Sequence, residues 1–391
     1  MGVDGRKGLK KRLSLFRLSL PADKKIAWFH VASLGEFEQG RPVIEAFKIK
    51  YPDIAIVITF FSPSGYEIRK NYAGADFICY LPIDTKSNSK WFIALLRPEL
   101  VFFVKYEFWN NYLQALKRAD IPVISFASIF REDQIYFKTY GGFFRKILAC
   151  FDHLFVQNQA SIALLKSIGI NNASIGGDTR FDRVFDIVQQ VQPRKELENF
   201  MDENPRLIAG SVWQQDMDVL IPVINKLVDQ VKVIIAPHEI KQDQITAWQK
   251  QLTGKTICYS KMNEETLADA KVLIIDNVGM LSSLYQYGDM AYIGGSFGVG
   301  LHNTLEAATF GLPLLFGNKS YDRFQEAVDL LALGGAFAIS NENDCFDKIS
   351  EWLQYPEKRQ EVGQRNAAFV SENIGATARI MEKVGEVLGV Q

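Results

Sequence analysis

Long apolar runs are missing from this sequence. Nowhere do about 18 apolar residues follow one another, so it encodes no membrane-spanning helix. Cysteine is scarce, and the four present (Cys79, Cys150, Cys258, Cys345) form neither a CxxC pair nor a compact disulfide framework, which points to a reducing compartment. Histidine is as sparse. His30, His153, His238 and His302 lie too far apart for a metal-ligand pattern such as HExxH. Net charge is almost absent, and a formal −1 at pH 7 excludes a general nucleic-acid binder. Short-period repeats and low-complexity tracts do not occur. No compact apolar segment follows the N-terminal charges, as a cleavable signal peptide requires.

What is plentiful is apolar surface. Hydrophobic residues make up 48% of a chain of 391, too long for one ordinary core, so two domains are expected. Short continuous apolar runs at 26–31, 54–60, 77–81, 100–104, 122–127 and 151–156 read as buried strands. Helical patterns separate them, including one entered near Pro42 and reaching Lys50, and another at 110–119. Around 190–204 the alternation breaks at Pro193, Pro205 and the charged segment Arg194-Lys-Glu-Leu-Glu198. It restarts with strands at 207–210, 231–236, 256–259, 272–275, 290–293 and 313–316. Such runs separated by helices predict an α/β protein with parallel sheets covered on both faces. The expected organisation is a basic segment at 1–24, a Rossmann-like domain at 25–190, a linker at 191–205, a second Rossmann-like domain at 206–374 and a terminal helix at 375–391, the two domains facing across a cleft.

The N-terminal segment carries Arg6, Lys7, Lys10, Lys11, Arg12, Arg17, Lys24 and Lys25 against Asp4 and Asp23, with Leu9, Leu13, Phe16 and Leu20 on one helical face. Two readings stand side by side. A basic amphipathic helix can lie on an anionic membrane surface, or it can pack its leucines on the domain beside it.

Ligands in doubly wound sheets bind beyond the carboxyl ends of the strands, so the loops after strands carry the candidate chemistry. The most developed is Gly294-Gly-Ser-Phe-Gly-Val-Gly-Leu-His302-Asn303-Thr-Leu-Glu306. Its glycines allow close backbone approach, and Asn303 is a candidate N-cap for a helix whose free amides suit a phosphate. His302, Asn303 and Glu306 are its candidate ligand contacts. Ser211 with its neighbouring amides, His238, and Val278, Gly279 and Met280 follow other strands of the second half; the amides near Gly279 suit a base edge. In the first half Glu36 closes Ser33-Leu-Gly-Glu36. Its carboxylate is placed either for proton abstraction or to favour the following helix start, and spacing alone favours the second role. Lys105 and Glu107 in Lys105-Tyr-Glu107-Phe-Trp-Asn110 either bind a sugar and order the loop or form an internal salt bridge. Arg131 either holds an anion or pairs with Glu132. Gly176-Gly-Asp-Thr-Arg180 reads as structural. These loops hold no Asp-x-Asp pair, which disfavours a divalent metal on a nucleotide diphosphate, and no metal or cofactor is expected.

Taken together, His30-Val-Ala-Ser-Leu-Gly-Glu36, Thr59-Phe-Phe-Ser-Pro-Ser-Gly65, Glu107-Phe-Trp-Asn110, Gly210-Ser211, Asp276-Asn-Val-Gly-Met-Leu281, the glycine loop through Glu306-Ala-Ala, and Gly311-Leu-Pro-Leu-Leu-Phe-Gly317 resemble the 3-deoxy-D-manno-octulosonic acid (Kdo) transferases over nearly the whole chain. The resemblance implies a GT-B fold and an inverting transfer of Kdo from CMP-Kdo to a lipid A precursor (lipid IVA) at the cytoplasmic face of the inner membrane, peripherally or through an N-terminal anchor. It makes Glu36 the catalytic base, assigns acceptor binding to the first domain and CMP-Kdo binding to the second, and implies that CMP sits over the loops at Ser211, His238, Val278 to Met280 and Ser296 to Glu306. Three departures accompany it. The chain starts at the basic segment rather than an apolar anchor. It has Ala236-Pro237-His238 where the family often has Pro-Arg-His. Lys105 stands where an acidic residue is usual, and Asn110 where proline is. The competing readings are a GT-B transferase or epimerase that uses a UDP-sugar, and a non-catalytic membrane-surface protein.

Overall fold

A computed structural model describes residues 6–389. Its strands are β1 Ile26–Val31, β2 Ala55–Phe60, β3 Phe77–Tyr80, β4 Leu100–Val104, β5 Val123–Ser128, β6 His153–Val156, β7 Ala173–Ile175, β8 Arg206–Val212, β9 Lys232–Pro237, β10 Thr256–Cys258, β11 Val272–Ile274, β12 Met290–Ile293, β13 Leu314–Gly317 and β14 Ala336–Ile339. The helices are α1 Leu9–Ser19, α2 Leu34–Lys50, α3 Pro63–Arg69, α4 Lys86–Leu96, α5 Asn110–Arg118, α6 Gly142–Leu148, α7 Gln159–Ser167, α8 Thr179–Gln190, α9 Gln214–Lys226, α10 Gln242–Gln251, α11 Glu264–Ala268, α12 Leu281–Leu284, α13 Leu305–Thr309, α14 Gln325–Ala332, α15 Glu342–Gln354, α16 Pro356–Asn373 and α17 Ala376–Leu388. The chain divides into two compact units. One comprises 1–183 with 373–391, the other 184–372.

Each unit is built on a seven-stranded parallel sheet, ordered β3-β2-β1-β4-β5-β6-β7 in the first and β10-β11-β9-β8-β12-β13-β14 in the second. In both, the first strand of the unit lies beside a strand from its later half: Ala27 pairs with Leu100, and Ala291 with Ile208. That is where the strand order reverses, and connections leave for opposite faces of the sheet. A crevice opens there beyond the carboxyl ends.

Side-chain alternation explains the two covered faces. Ile26, Trp28, Val57, Val101 and Phe103 point to one side of the first sheet, where Leu9 and Leu13 of α1, Phe92 and Leu96 of α4, and Leu113 and Leu116 of α5 complete a core. Ala27, Phe29, Ile58, Phe102 and Val104 point to the other, against Phe37, Val43 and Phe47 of α2 and Ile380 and Val384 of α17. The terminal helix is thus part of the first unit. In the second unit, Ala209, Val233, Ile235 and Tyr292 meet Met217 and Leu220 of α9 and Ile349 and Trp352 of α15.

Several elements differ in extent from the sequence expectation. The helix expected to enter near Pro42 begins at Leu34, because Ser33 and Glu36 form a reciprocal capping box; Pro42 is tolerated inside it, at the loss of one N–H donor to Glu38. Strands β7 and β14 were not anticipated. Both are short edge strands; β7 has only three residues, and β14 is a four-residue apolar run, Ala336–Ile339. The stretch 191–205 is folded chain: Lys195–Phe200 is a short 3-10 helix whose Leu197 and Phe200 are buried, and the Lys232 ammonium donates to the Phe200 carbonyl at 3.0 Å. The N-terminal stripe is spent inside the protein. Leu9 and Leu13 are buried, and Phe16 stacks on Phe77 with ring centroids 4.8 Å apart.

If α1 is structural in this way, Leu13→Ala leaves a cavity in the core and lowers unfolding stability by about 2–5 kcal/mol in a denaturant titration. A change below about 0.5 kcal/mol would show that α1 does not depend on this packing.

Candidate active site

The first unit gathers its candidate groups at the β1 and β4 ends. Ser33 caps α2, and the Glu36 carboxylate folds back so that Oε2 accepts the backbone N–H groups of Ala32 at 2.5 Å and Ser33 at 3.1 Å. This is the geometry of the helix-start reading of Glu36. It favours the helix start, and Oε1 remains without a hydrogen bond among the described residues. Burial, then the negative charge of Glu107, raise its pKa, against the two amides and the Lys105 ammonium.

Glu107 pairs with His30. The buried His30 ring presents Nε2 to Glu107 Oε2 at 3.3 Å and Nδ1 to the Thr59 hydroxyl at 2.8 Å. Trp109 donates its indole N–H to the same Glu107 oxygen at 2.7 Å, and Trp28 donates to Thr59 at 2.8 Å. Two side chains, His30 and Trp109, thus hold the carboxylate, and Thr59, itself bonded by Trp28, orients His30. Lys105 takes a left-handed backbone (φ 59°), with its N–H on the Phe126 carbonyl and its own carbonyl accepting from Ser128 Oγ at 2.7 Å. Arg131 is exposed, and no Arg131–Glu132 ion pair forms among the described residues; its charge lowers the pKa of Tyr106, whose burial acts in the opposite and larger sense. The Gly176 to Arg180 turn is internal, with the Thr179 hydroxyl donating to the Gln39 carbonyl.

In the second unit the glycine loop lies beside the end of β8. A Cβ on Gly294 would run into the Ser211 carbonyl, and Gly295 has φ 96°, so a side chain at either would displace the loop. Ser211 has φ 54° and a hydroxyl without a protein partner among the described residues. The rings of Trp213 and His238 stack at 4.5 Å, those of His238 and His302 at 4.3 Å, and the Trp213 indole N–H donates to His302 Nε2 at 3.0 Å. That bond leaves the His302 proton on Nδ1. Burial, with the neighbouring His238, depresses its pKa to about 4, so the ring is uncharged at neutral pH. Asn303 Oδ1 caps the Leu305 N–H, and its amide donates to Glu306, whose other oxygen accepts from the Ser282 hydroxyl at 2.6 Å. The helix expected from Asn303 begins two residues later and is a single short turn.

A pocket of about 410 Å³ lies next to this loop, lined by Ser211, His238, Ile275, Val278, Gly279 and Met280 among others, a size suited to a nucleoside. Five of the proposed donor contacts therefore share one cavity. His302 adjoins it through its stack on His238. Ser296 is turned away, its hydroxyl bound to the Lys319 carbonyl.

Asp216, absent from the sequence reading, organises this cluster. It is fully buried, and burial pushes its carboxyl up. Its oxygens accept from Trp213 N at 2.8 Å, Gly295 N at 2.9 Å and the Tyr292 hydroxyl at 2.8 Å, linking the β8 and β12 ends. An acidic residue three after a helix entry was the available signal, but it announces only the cap. No cluster of three or more metal-ligating side chains occurs among the described residues.

A family model described as 3-deoxy-D-manno-octulosonic-acid transferase (kdotransferase) matches residues 7–183. The 3-deoxy-D-manno-octulosonic acid transferase of Chlamydophila psittaci is 27% identical over 387 residues, 96% of this chain and 88% of the relative. That of Aquifex aeolicus is 26% identical over 343 residues, 86% of this chain and 88% of the relative. Among solved structures, UDP-GlcNAc 2-epimerase from Neisseria meningitidis bound to UDP-GlcNAc has a TM-score of 0.65 at 17% identity, covering 93% of this chain and 100% of that one. MurG from Acinetobacter baumannii has 0.58 at 12%, covering 93% and 99%. At such identities these two show the fold alone, which is GT-B.

Asp216→Ala strands three donors in the core. It is expected to cost about 3 kcal/mol or more of stability, from the scale for charged hydrogen bonds and orphaned partners, and to weaken nucleotide binding. Thermal melting with and without CMP checks both; an unchanged melting curve would deny Asp216 this role.

Proposed function

We propose that this chain, similar over most of its length to 3-deoxy-D-manno-octulosonic acid (Kdo) transferases, transfers Kdo from CMP-Kdo to a lipid A precursor of the lipid IVA type with inversion at the anomeric carbon. The reaction would take place at the cytoplasmic face of the inner membrane, where the lipid acceptor lies. The observation that carries the chemistry is Glu36. Two backbone amides fix one carboxylate oxygen, and the other is free to receive a proton.

In this reading Glu36 Oε1 takes the proton of an acceptor hydroxyl as that oxygen attacks the anomeric carbon of Kdo. The bond from that carbon to the CMP phosphate breaks in the same displacement, and CMP leaves with the electron pair. A raised pKa makes Glu36 a stronger base than an exposed glutamate. Burial is the main cause of that shift; Glu107, held by His30 and Trp109, adds to it, and Lys105 limits it. Arg131 and Lys105 would attract anionic groups of the substrates. In the second unit the cytosine would fill the pocket at Val278, Gly279 and Met280, with Ser211, His238 and neutral His302 donating to phosphate and Kdo oxygens. Glu306, oriented by Asn303 and Ser282, would accept from the ribose hydroxyls. This scheme assigns no step to a metal or cofactor.

Glu36→Ala should reduce transfer by roughly 100-fold or more while CMP affinity by calorimetry stays near wild type. Wild-type turnover by the variant would remove Glu36 from the mechanism. Selective stabilisation by UDP over CMP would favour a UDP-sugar enzyme instead.

The pH profile gives a second test. The base works only when ionised, so kcat/KM should fall as pH drops through a pKa above the ordinary glutamate value of about 4.3. Glu107→Gln removes a negative neighbour and should move that acidic limb to lower pH. An unmoved limb contradicts the coupling.

A further inference from the structure

Arg6 precedes α1, and its side chain reaches across the carboxyl ends of two neighbouring strands. Its Nε donates to the carbonyl of Leu81, the residue after β3, at 2.9 Å. Its Nη2 donates to the carbonyl of Phe61, the residue after β2, at 3.1 Å. The guanidinium carbon also lies 5.0 Å from the centroids of both the Phe61 and the Tyr80 rings. One planar group therefore ties two strand ends and meets two aromatic rings, a combination that suits a guanidinium and not an ammonium.

Phe61 is what this grip holds, and it adjoins the candidate base by two routes. Its N–H donates to the Ala32 carbonyl at 3.2 Å, as does that of Ser62 at 2.7 Å. The Ala32 N–H is in turn one of the two that fix Glu36. The Phe61 ring lies 4.8 Å from that of Trp109, between centroids, and the Trp109 indole holds Glu107. Phe61 is 39% exposed, so burial alone does not hold its ring against Trp109.

We propose that Arg6 is a positioning residue for the transfer reaction: through Phe61 and Trp109 it holds Glu107 beside Glu36. The inference rests on Glu36 being the base, as in the proposed function. The titratable groups that act on Glu36 are Glu107 and Lys105, both from the loop after β4, together with the amides of Ala32 and Ser33; His30 of β1 acts on Glu107. Without Arg6, Phe61 and Trp109 lose their support, and Glu107 swings toward solvent, where water and salt screen its charge. The Glu36 pKa then falls, because a like charge has left its side. Loss of the Arg6 charge by itself acts in the opposite sense, since a nearby cation favours a carboxylate. The sign of the shift therefore separates positioning from direct electrostatics.

The test is the pH profile of kcat/KM for the full chain with CMP-Kdo and a detergent-dispersed tetraacyl disaccharide. Arg6→Ala should lower kcat/KM on the order of 10- to 100-fold, the scale of a small misplacement near reacting groups. Its acidic limb should move to lower pH, while CMP affinity by calorimetry stays near wild type. Added guanidinium ion should restore both rate and limb. Arg6→Lys keeps the charge without the planar fork and should behave as Arg6→Ala. Phe61→Leu leaves Arg6 its carbonyl but removes the ring, and should move the limb the same way. It also supplies the readout if melting temperatures show that Arg6→Ala does not fold. In Arg6→Ala/Glu107→Gln the limb should lie where Glu107→Gln alone puts it. An unmoved limb, a limb moved to higher pH, or a shift that adds to that of Glu107→Gln overturns the inference. Wild-type turnover by Glu36→Ala brings down the proposed mechanism and this inference with it. An unmoved limb in Arg6→Ala, where Glu36→Ala is inactive, brings down this inference alone.

Discussion

The constraint on which everything else depends is parallel pairing at two positions, β1 beside β4 and β8 beside β12. Parallel strands need crossovers, and crossovers that leave for opposite faces part at the point where strand order reverses. The loops at these points are the ones rich in polar groups: Ser33 to Glu36 and Lys105 to Asn110 in one unit, Ser211 to Asp216 and Gly294 to Glu306 in the other. Without that order, Glu107 would not reach His30, and Asp216 would not reach Gly295.

The two units use one local device for different ends. In each, the loop after the first strand enters a helix whose third residue is acidic and turns its carboxylate back onto the entering backbone. In the second unit that carboxylate, Asp216, is fully buried, and three donors consume it. Its role is to hold loops. In the first unit the carboxylate, Glu36, spends one oxygen on amides and keeps the other, beside Glu107 and under the opposing charge of Lys105. Burial and neighbours convert a capping residue into a candidate base.

What was legible in the sequence was local. Apolar runs marked most strands, glycines marked the loop at Gly294, and the shared motifs marked Glu36, Ser211 and His302. What escaped was non-local or weakly patterned. Asp216 acts on Gly295, far along the chain, and a short acidic side chain near a helix start announces only the cap. Strand β7 has only three residues and draws its pairing from its neighbour, whereas β14 is an apolar run as long as β12 and was readable. The period of α1 was readable, but a stripe of Leu9, Leu13 and Phe16 cannot say whether its partner is a bilayer or a sheet; the structure sets it against Phe77 and the first core. The Ser33-x-x-Glu36 capping box is a helix start written in the sequence, less conspicuous than Pro42.

The central claim is that Glu36 and the donor pocket serve one transfer reaction. Its most direct test is mass spectrometry of a tetraacyl disaccharide acceptor incubated with the purified full chain and CMP-Kdo. The account predicts acceptor molecules heavier by one or more Kdo residues, with CMP released in equal number. Unmodified acceptor together with turnover of a UDP-sugar, or hydrolysis of CMP-Kdo without transfer, would contradict it.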